Sequence, residues 1–318
     1  MLPTFKKMGN NWVVDPLNRY VKGGLLVPTA ANTPIVIAAG GRSPAIMIEA
    51  PQDAAAEVLY LQGSHAEAVP ADTQQRMTVE IYDQSFRRLC QNRAVLVDHV
   101  FGTGQTPFYL KESVFLQPQQ GLQFSFFNPA AAGETNFRFA ASARKVQQAE
   151  FSRGYMDQFV ADNWDRKTLL QPFWFTTNEA VTIPAGGNAT AFLTNTQDKF
   201  CAFFYAMARA ITTGVAGDTQ ERVSFQFFDP KTERPMQNTP VTLNCGTGNA
   251  NFPYILPSPI LMEPNVQMRV QMTNLITDQP TEVFLTFHGV ACYTGEGLWA
   301  FGPQTRPPLN MQPAGGPR

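Results

Sequence analysis

Three histidines come first in a search for chemistry, because imidazole acts as acid, base and metal ligand near neutral pH. They are His65, His99 and His288. His65 falls in a loop-like segment, and the other two fall in strand-like patterns. None is close in sequence to carboxylates or cysteines at metal-ligand spacing, although folding could still bring distant groups together. The sequence predicts no catalytic residue, no metal site and no cofactor, and hence no enzyme.

Four cysteines offer a second source of reactivity. They are Cys90, Cys201, Cys245 and Cys292, and they form neither a CxxC motif nor a zinc-ligand spacing. Three lie in the second half of the chain, without counterparts at matching places in the first. We therefore expect buried, reduced thiols rather than a repeated disulfide framework.

The sharpest local motif is Asp-Thr-Gln-x-Arg, which occurs twice. The first copy runs from Asp72 to Arg76 and the second from Asp218 to Arg222. One interpretation makes each Asp and Arg a polar binding pair. The favoured one is structural: Asp and Thr close a turn before a strand, and Arg satisfies Asp or a nearby carbonyl. A turn is needed in every copy of a repeat, whereas an active site seldom is.

The motif belongs to an internal duplication that covers most of the chain. A shift of 146 positions superimposes the sequence on itself without a gap, matching Gly40-Gly41 with Gly186-Gly187 and Gly102 with Gly248. Apolar residues alternate in the same phase in both copies, so both copies bury the same faces of their strands. We expect every strand and every connection to have the same length in both copies.

Each copy has the pattern of an antiparallel β-sandwich, since short alternating runs are separated by turn residues. About eight strands per copy is typical of the Greek-key or jelly-roll class. The fold class is thus all-β, with two tandem jelly-roll-like sandwiches related by duplication. In the first copy the strands are predicted at Pro34–Ala38, Ala45–Glu49, Glu57–Gln62, Arg76–Asp83, Arg93–Val100, Phe108–Leu116, Gly121–Asn128 and Asn136–Val146.

The duplication divides the chain into two domains and three flanking segments. The predicted segments are an N-terminal arm at 1–24, a first sandwich at 25–148, a connector at 149–170, a second sandwich at 171–294 and a Pro-rich tail at 295–318. The connector shows helix-like apolar spacing over part of its length. The tail is too rich in proline for the interior of a sheet.

The arm is the candidate interface segment, because its aromatic and aliphatic side chains need a surface to cover. Its candidate residues are Phe5, Trp12, Val13 and Tyr20. They would cap the chain's own sandwich or dock on a neighbouring subunit, and the sequence leaves both possibilities open.

The amino-acid composition indicates which kinds of partner the chain is suited to bind. The 318 residues include 24 basic and 25 acidic ones, and only 15% of the residues are charged. Near-neutral charge argues against a large surface for nucleic acid. The N-terminus lacks the apolar run of a secretory signal, and no apolar run is long enough to span a bilayer. We therefore expect a soluble protein, made in the cytoplasm, that packs against other proteins and against neither nucleic acid nor membrane.

A resemblance to a known class rests on the segment Phe252-Pro-Tyr-Ile-Leu-Pro-Ser-Pro-Ile-Leu-Met-Glu-Pro-Asn-Val-Gln-Met-Arg-Val-Gln-Met-Thr-Asn274 and its counterpart in the first copy. This pattern resembles virion structural proteins of tailed bacteriophages, of the head-decoration, collar or spike-base type. The resemblance implies a non-enzymatic, multi-copy component of the bacteriophage capsid or head–tail region. It also implies a homo-oligomer whose partners are its own copies and other virion proteins.

Two alternatives remain. One is a double jelly-roll major capsid protein, in which two rolls per chain make a trimer look six-fold. The other is a tandem carbohydrate- or receptor-binding module, which predicts exposed aromatic residues repeated on one face. The shift of 146 places Trp12 opposite Gln158, Trp164 opposite Asn18 and Trp174 opposite Pro28, so no such repeat is evident.

Overall fold

In a computed structural model, the described part of the chain is mainly antiparallel β-structure with almost no helix. The structure describes residues 5–8, 11–14, 21–28, 34–65, 76–129, 134–147, 170–177, 180–195, 199–215 and 217–293. Near the N-terminus, β1 (Phe5–Met8) and β2 (Asn11–Val14) pair as an antiparallel hairpin. Two sandwiches follow it.

The first sandwich has two five-stranded antiparallel sheets. In chain order its strands are β3 (Val21–Leu26), β4 (Ile35–Ile37), β5 (Ile46–Glu49), β6 (Ala54–His65), β7 (Thr78–Asp83), β8 (Arg88–Leu89), β9 (Val95–Leu96), β10 (Phe108–Leu116), β11 (Gly121–Phe127) and β12 (Thr135–Gln147). One sheet has the order β10-β6-β12-β3, with β4 also paired to β12. The other has the order β5-β11-β7-β8, with β9 also paired to β7.

The second sandwich repeats this arrangement. Its strands are β13 (Leu170–Thr176), β14 (Val181–Ile183), β15 (Asn188–Thr194), β16 (Phe200–Thr212), β17 (Val223–Phe227), β18 (Val241–Thr242), β19 (Tyr254–Met262), β20 (Gln267–Asn274) and β21 (Thr281–Cys292). The sheet orders are β13-β21-β16-β19, with β14 on β21, and β15-β20-β17-β18. Successive strands mostly cross from one sheet to the other, which defines a jelly roll. The predicted fold class is confirmed.

Alternating side chains fill each core. In β7 and in β20, every second residue is buried, as expected where one face of a strand packs and the other meets solvent. Phenylalanines from both sheets meet in the first core, where the ring centroids of Phe124 and Phe139 are 4.8 Å apart. The alternation predicted from the sequence thus identifies the side chains that form both cores.

The prediction of one gapless spacing is wrong at more than one place. In β6 and β16, Tyr60 and Tyr205 pair with Ser142 and His288 but are separated by 145 positions. The larger difference is at the first strand. Leu25 pairs with Ser142 in the first roll, and Trp174 pairs with His288 in the second. Ser142 and His288 are separated by the predicted 146 positions, but Leu25 and Trp174 are separated by three more. The structural counterpart of Trp174 is therefore Leu25 rather than Pro28. The connection from β3 to β4 is longer than the connection from β13 to β14, which restores the spacing of 146 at β4 and β14.

Two further boundaries differ from prediction. The segment 93–100 forms the short strand β9 followed by a 3-10 turn at Val97–His99, because this part of the chain leaves the sheet. Strand β3 takes residues 21–24, which were predicted to belong to the arm, into the first sheet. The connector at 149–170 and the tail at 295–318 lie outside the described residues except for Leu170, and the domain limits stay predictions.

Gly102 and Gly248 occupy equivalent places and show why the repeat keeps glycine there. Each lies beside the backbone of the loop that leads to β10 or β19 and bridges to the neighbouring long strand. A Cβ atom on Gly102 would collide with the carbonyl oxygen of Thr106, and one on Gly248 with that of Phe252. Only glycine lets the backbone pass so close.

Replacing either glycine by alanine is expected to destabilise its roll. Gly102→Ala and Gly248→Ala should each lower the free energy of unfolding by about 1–3 kcal/mol, since the loop must shift to admit the methyl group. Urea denaturation measures the change. Gly104→Ala is the control, because a Cβ there meets no atom within 4 Å. Equal stability of all three variants would contradict this account.

Candidate functional site at the joint between the jelly rolls

Folding brings two of the three histidines to one place. His99 follows β9 in the first roll and His288 lies in β21 of the second, and neither is exposed to solvent. Both lie where the two rolls pack together, which we call the joint. His65 ends β6, where its ring packs edge-on against Phe137. Distance in sequence had hidden the association of His99 with His288.

Backbone hydrogen bonds tie the rolls together at one edge of the joint. The Trp174 amide donates to the Cys90 carbonyl at 2.9 Å, and the Asn92 amide donates to the Trp174 carbonyl at 3.2 Å. The Asn92 side chain also donates to the carbonyl of Thr176 at 2.9 Å. Residues 90–92 of the first roll thus continue the sheet that β13 begins in the second.

Aromatic packing forms the centre of the joint. Phe108 begins β10 in the first roll and contacts three rings on the outer face of the second roll's β13-β21-β16-β19 sheet. The centroid distances from Phe108 are 6.0 Å to Trp174, 6.2 Å to Tyr205 and 4.9 Å to His288. These separations favour edge and offset contacts between rings.

Three polar side-chain contacts join the rolls across the joint. Arg209 donates to Asp98 at 2.8 Å, and Arg76 lies 3.1 Å from Glu282. His99 Nδ1 lies 2.9 Å from the Thr286 hydroxyl. Buried polar groups need such partners, so these contacts fix how the two surfaces meet. Burial raises the pKa of Asp98, although Arg209 opposes this increase.

A hydrogen-bonded chain of side chains crosses the joint nearby. The Lys199 ammonium donates to the Tyr293 hydroxyl at 3.4 Å, and that hydroxyl donates to Gln171 Oε1 at 2.8 Å. Gln171 Nε2 in turn donates to the Cys90 sulfur at 3.1 Å. The Lys199 nitrogen also lies 3.6 Å from the centroid of the Phe173 ring. Burial lowers the pKa of Lys199 to about 8.

Three of the four cysteines are buried free thiols, as predicted, and Cys245 is exposed, contrary to prediction. Burial raises the pKa of the Cys90 thiol, and it raises the pKa of Cys201 to about 12. A thiol must ionise to act as a nucleophile or metal ligand. Cys90 and Cys201 therefore serve as small packing groups. Among the described residues no cluster of three His, Cys, Asp or Glu could hold a metal ion.

The repeated Asp-Thr-Gln-x-Arg motif is visible mainly in its second copy. Asp218 accepts a hydrogen bond from the Ala210 amide at 3.0 Å and another from Gln220 at 2.7 Å. Arg222 lies 3.6 Å from Glu221 rather than on Asp218. In this copy the aspartate thus ties a turn to the strand that precedes it.

In the first copy only Arg76 can be described, because Asp72 lies outside the described residues. Arg76 pairs with Glu282 of the second roll and so contributes to the joint. The two copies of this motif therefore make different contacts, and its role as a purely structural turn stays a prediction.

The candidate arm is described only in part. Phe5 lies in β1, and Trp12 and Val13 lie in β2, where Phe5 pairs with Val14 and Trp12 with Lys7. Tyr20 lies outside the described residues. Docking by this arm stays a prediction.

The residues of the long strands β16 and β6 also indicate the joint. Strand β16 is apolar over nearly its whole length and has no regular alternation, and it is buried on both faces. Its counterpart β6 carries half-buried residues along its C-terminal half. A continuous apolar run in β16, where β6 ends in Gln62, Gly63, Ser64 and His65, indicates that the second sheet is covered on both sides.

Comparisons with known proteins yield likenesses of fold only. No protein-family model matches the sequence, and a search of curated proteins gave no match. The major capsid protein P2 from bacteriophage PM2 is similar at 12% identity and a TM-score of 0.43, over 85% of this chain and 98% of that chain. A chain of Sulfolobus turreted icosahedral virus is similar at 9% identity and a TM-score of 0.43, over 89% of this chain and 94% of that chain. PNGF-II has 11% identity and a TM-score of 0.34, over 86% of this chain and 66% of that chain.

None of these TM-scores reaches 0.5. In the part of the chain that the structure describes, no helix is long and apolar enough to cross a bilayer.

The aromatic centre of the joint is expected to contribute strongly to stability. Trp174→Ala removes a side chain that is 1% exposed, and it should lower the free energy of unfolding by about 3–5 kcal/mol. Leu275→Ala is the control, because Leu275 is half exposed and its loss should change stability by less than about 0.5 kcal/mol. Urea denaturation compares them. A small effect of Trp174→Ala would contradict the importance of the joint.

Stability should fall as the solution becomes acidic, because burial lowers the pKa of both His99 and His288 to about 3. Below about pH 6.5 the unfolded chain binds protons on these histidines that the folded chain does not accept, so unfolding becomes more favourable. Two such groups should reduce the free energy of unfolding by about 3 kcal/mol between pH 6.5 and pH 5.

The control for this prediction is the double variant H99Q/H288Q. Asp83, whose pKa burial raises to about 6, acts in the opposite sense in both proteins and cancels in the comparison. Chemical denaturation at each pH should show a shallower loss of stability in the variant than in the wild type. Parallel pH dependence in the two proteins would refute the assignment to these histidines.

Proposed function

We propose that this chain is a non-enzymatic structural protein of a virus particle that forms the particle's shell in many copies as a double jelly-roll capsid subunit. Its partners are other copies of itself and other virion proteins, and it works without direct contact to nucleic acid or membrane. Its location is the virion, after synthesis in the host cytoplasm. The proposal includes a bacteriophage origin, which rests on the resemblance of the sequence to bacteriophage virion proteins.

The observation that carries the proposal is the fixed union of two jelly rolls of one topology. Jelly rolls occur in viral capsids, lectins and cupins, so the topology alone does not choose among functions. Here the outer face of one sheet is buried beneath the other roll, with rings, ion pairs and backbone hydrogen bonds in the contact. Such a joint holds the rolls as one building block, which suits a repeated load-bearing element better than two independent binding modules.

The double roll favours a shell subunit over a decoration or collar protein. A subunit made of two similar bodies presents similar edges in several directions, and symmetric assemblies require one surface to meet several neighbours. The carbohydrate-binding alternative is less well supported. Trp174 is buried in the joint, and its true counterpart is Leu25, so the two rolls do not repeat an exposed aromatic platform.

Self-assembly of the purified full-length chain tests the proposal. Mass photometry followed by cryo-electron microscopy should show a discrete multi-copy assembly with closed symmetry. Binding to a glycan array is the parallel measurement, and no saturable binding is expected. A chain that stays monomeric at micromolar concentration and binds a glycan saturably would overturn the proposal in favour of the carbohydrate-binding alternative.

A further inference from the structure

We infer that strand β15 (Asn188–Thr194) is an interaction surface on which two copies of the chain pair, edge to edge and antiparallel, about a two-fold axis at Ala191. The pairing joins the β15-β20-β17-β18 sheets of both copies into one continuous sheet. This sheet is the one that does not form the joint. The inference rests on the proposed function, since it names one contact between copies of a multi-copy subunit.

Strand β15 lies at the edge of its sheet. In the described part of the chain it pairs only with β20, over all seven of its residues. Every second side chain along it is exposed, and the exposed ones are Asn188, Thr190, Phe192 and Thr194. One side of this strand is therefore available to another strand.

Backbone hydrogen bonds show which groups of β15 point outward. The Asn195 amide donates to the Val266 carbonyl at 2.9 Å, and the Asn274 amide donates to the Gly187 carbonyl at 2.9 Å. Gly187 and Asn195 therefore direct their backbone groups towards β20. This direction alternates along an antiparallel strand, so every second residue between them directs its N–H and C=O away from β20. These outward residues are Asn188, Thr190, Phe192 and Thr194.

The first roll has the same edge in a blocked form. Its edge strand is β5, and just before this strand Pro44 and Ala45 both lie opposite Ser125. The flanking pairs in the two strands are Ser43 with Phe126 and Ile46 with Phe124. Two residues opposite one form a β-bulge, which bends the edge. In the second roll Thr190 alone lies opposite Gln271, so β15 runs without a bulge.

The blocked edge carries further obstacles to pairing. Pro44 has no N–H group to donate, and the charged residues Arg42 and Glu49 on either side of it are exposed. Bulges, prolines and charges keep sheet edges from pairing with other chains. Strand β15 has none of them, because its sequence Asn-Ala-Thr-Ala-Phe-Leu-Thr contains no proline, glycine or charged residue. The chain thus blocks this edge in the first roll and leaves it open in the second.

The sequence of β15 is complementary to itself in the antiparallel direction. With the two-fold axis at Ala191, Thr190 of one copy faces Phe192 of the other, and Asn188 faces Thr194. All four residues have outward backbone groups, so each facing pair exchanges two N–H···O hydrogen bonds. A β-branched residue beside an aromatic one is a favourable cross-strand pair, and no like charges face each other. A second copy therefore satisfies the whole open edge.

Phe192 gains a neighbour from this pairing. Within the chain it pairs on one side with Arg269, whose guanidinium carbon lies 3.9 Å from the centroid of the Phe228 ring. In the described part of the chain no strand lies on its other side, and Phe192 is 48% exposed. The second copy places Thr190 there, which removes apolar surface of the ring from water.

The pairing ends at two copies. A two-fold contact uses the same surface on both partners, so one β15 edge is consumed by one other. The joined sheet then ends on each side in β18 (Val241–Thr242), which has only two residues and follows Pro240. Such a short edge is a poor template for a further strand. The contact is thus a closed dimer contact rather than the start of a fibre.

Proline at the open edge tests the pairing in the full-length chain. Thr190→Pro removes an outward N–H that the chain's own sheet does not use, so the second roll should stay folded. The dissociation constant of self-association, measured by sedimentation velocity over a concentration series, should rise about tenfold or more, because each dimer loses two hydrogen bonds. Thr190→Val is the matched control, since it keeps the N–H and the β-branched shape and should associate as the wild type does.

A disulfide at the axis tests the register and does not depend on the proline variant. Ala191 faces Ala191 of the other copy in a pair without hydrogen bonds, whose Cα atoms lie about 4.5 Å apart in antiparallel sheets. Disulfides span this separation. In a Cys245→Ser background, which removes the exposed thiol, Ala191→Cys should give a covalent dimer on oxidation with diamide. Thr194→Cys is the control, because it faces Asn188 and has no thiol opposite.

Amide hydrogen exchange reports the pairing without mutation. The outward amides of β15 should exchange about tenfold more slowly in concentrated, associated protein than in protein diluted to monomers, because they gain acceptors from the second copy. The inward amides, which bond to β20, should exchange slowly in both samples. Equal exchange of the outward amides in the two samples would overturn the inference. Thermal unfolding of every variant checks that the second roll stays folded.

The outcomes separate this inference from the proposed function. Self-association that persists in Thr190→Pro, with no cross-link through Ala191→Cys, overturns the pairing of β15 but leaves a multi-copy structural role intact. A dimer that forms through β15 but builds no larger assembly supports the pairing and overturns the shell role. A wild-type chain that stays monomeric overturns both. Slow exchange of the outward amides in a monomer, lost on removal of residues 294–318, would identify the chain's own tail as the occupant and overturn the inference.

Discussion

The burial of one sheet between two cores is the constraint on which the rest of this structure depends. The β13-β21-β16-β19 sheet packs its inner face on its own roll and its outer face under Phe108 of the other roll. A sheet covered on both sides needs apolar residues on both sides. Trp174, Tyr205 and His288 fill the outer face, and His288 is neutral there because burial lowers its pKa. The contact between the rolls thus determines the residue composition of this sheet, the orientation of the two rolls and the ionisation of His288.

The joint gives the two halves of the duplication different surroundings. Two copies of one fold start with the same surfaces, but only one sheet can lie in the middle of the chain. That sheet carries Trp174, His288 and Tyr205 on its outer face, whereas the equivalent row of the first roll has Leu25, Ser142 and Tyr60. The first roll carries Asp98, which accepts a hydrogen bond across the joint from Arg209, whereas the corresponding part of the second roll, residues 235–262, contains no charged residue. The halves therefore differ where one roll covers the other.

The sequence predicted the fold through its repetition. Alternating apolar residues place strands and fix which face each strand buries, and two copies in one phase make that interpretation stronger than either alone. The slip of three residues at Leu25 and Trp174 was missed, because turn residues near Gly40 and Gly186 stay aligned and conceal the change before them. No neighbours at metal-ligand spacing single out the histidines in the sequence, yet His99 and His288 both lie at the joint.

By itself the sequence determined the class of fold, the duplication and the phase of the strands, because these depend on local periodicity and on turn chemistry. Only the tertiary structure decided which faces are covered. Whether Phe108 is buried and Tyr254 is exposed depends on where another roll lies, and no local pattern encodes that. The same holds for Cys245 and His99, which are equivalent in the repeat but opposite in exposure, because packing between rolls places one inside and leaves the other in solvent.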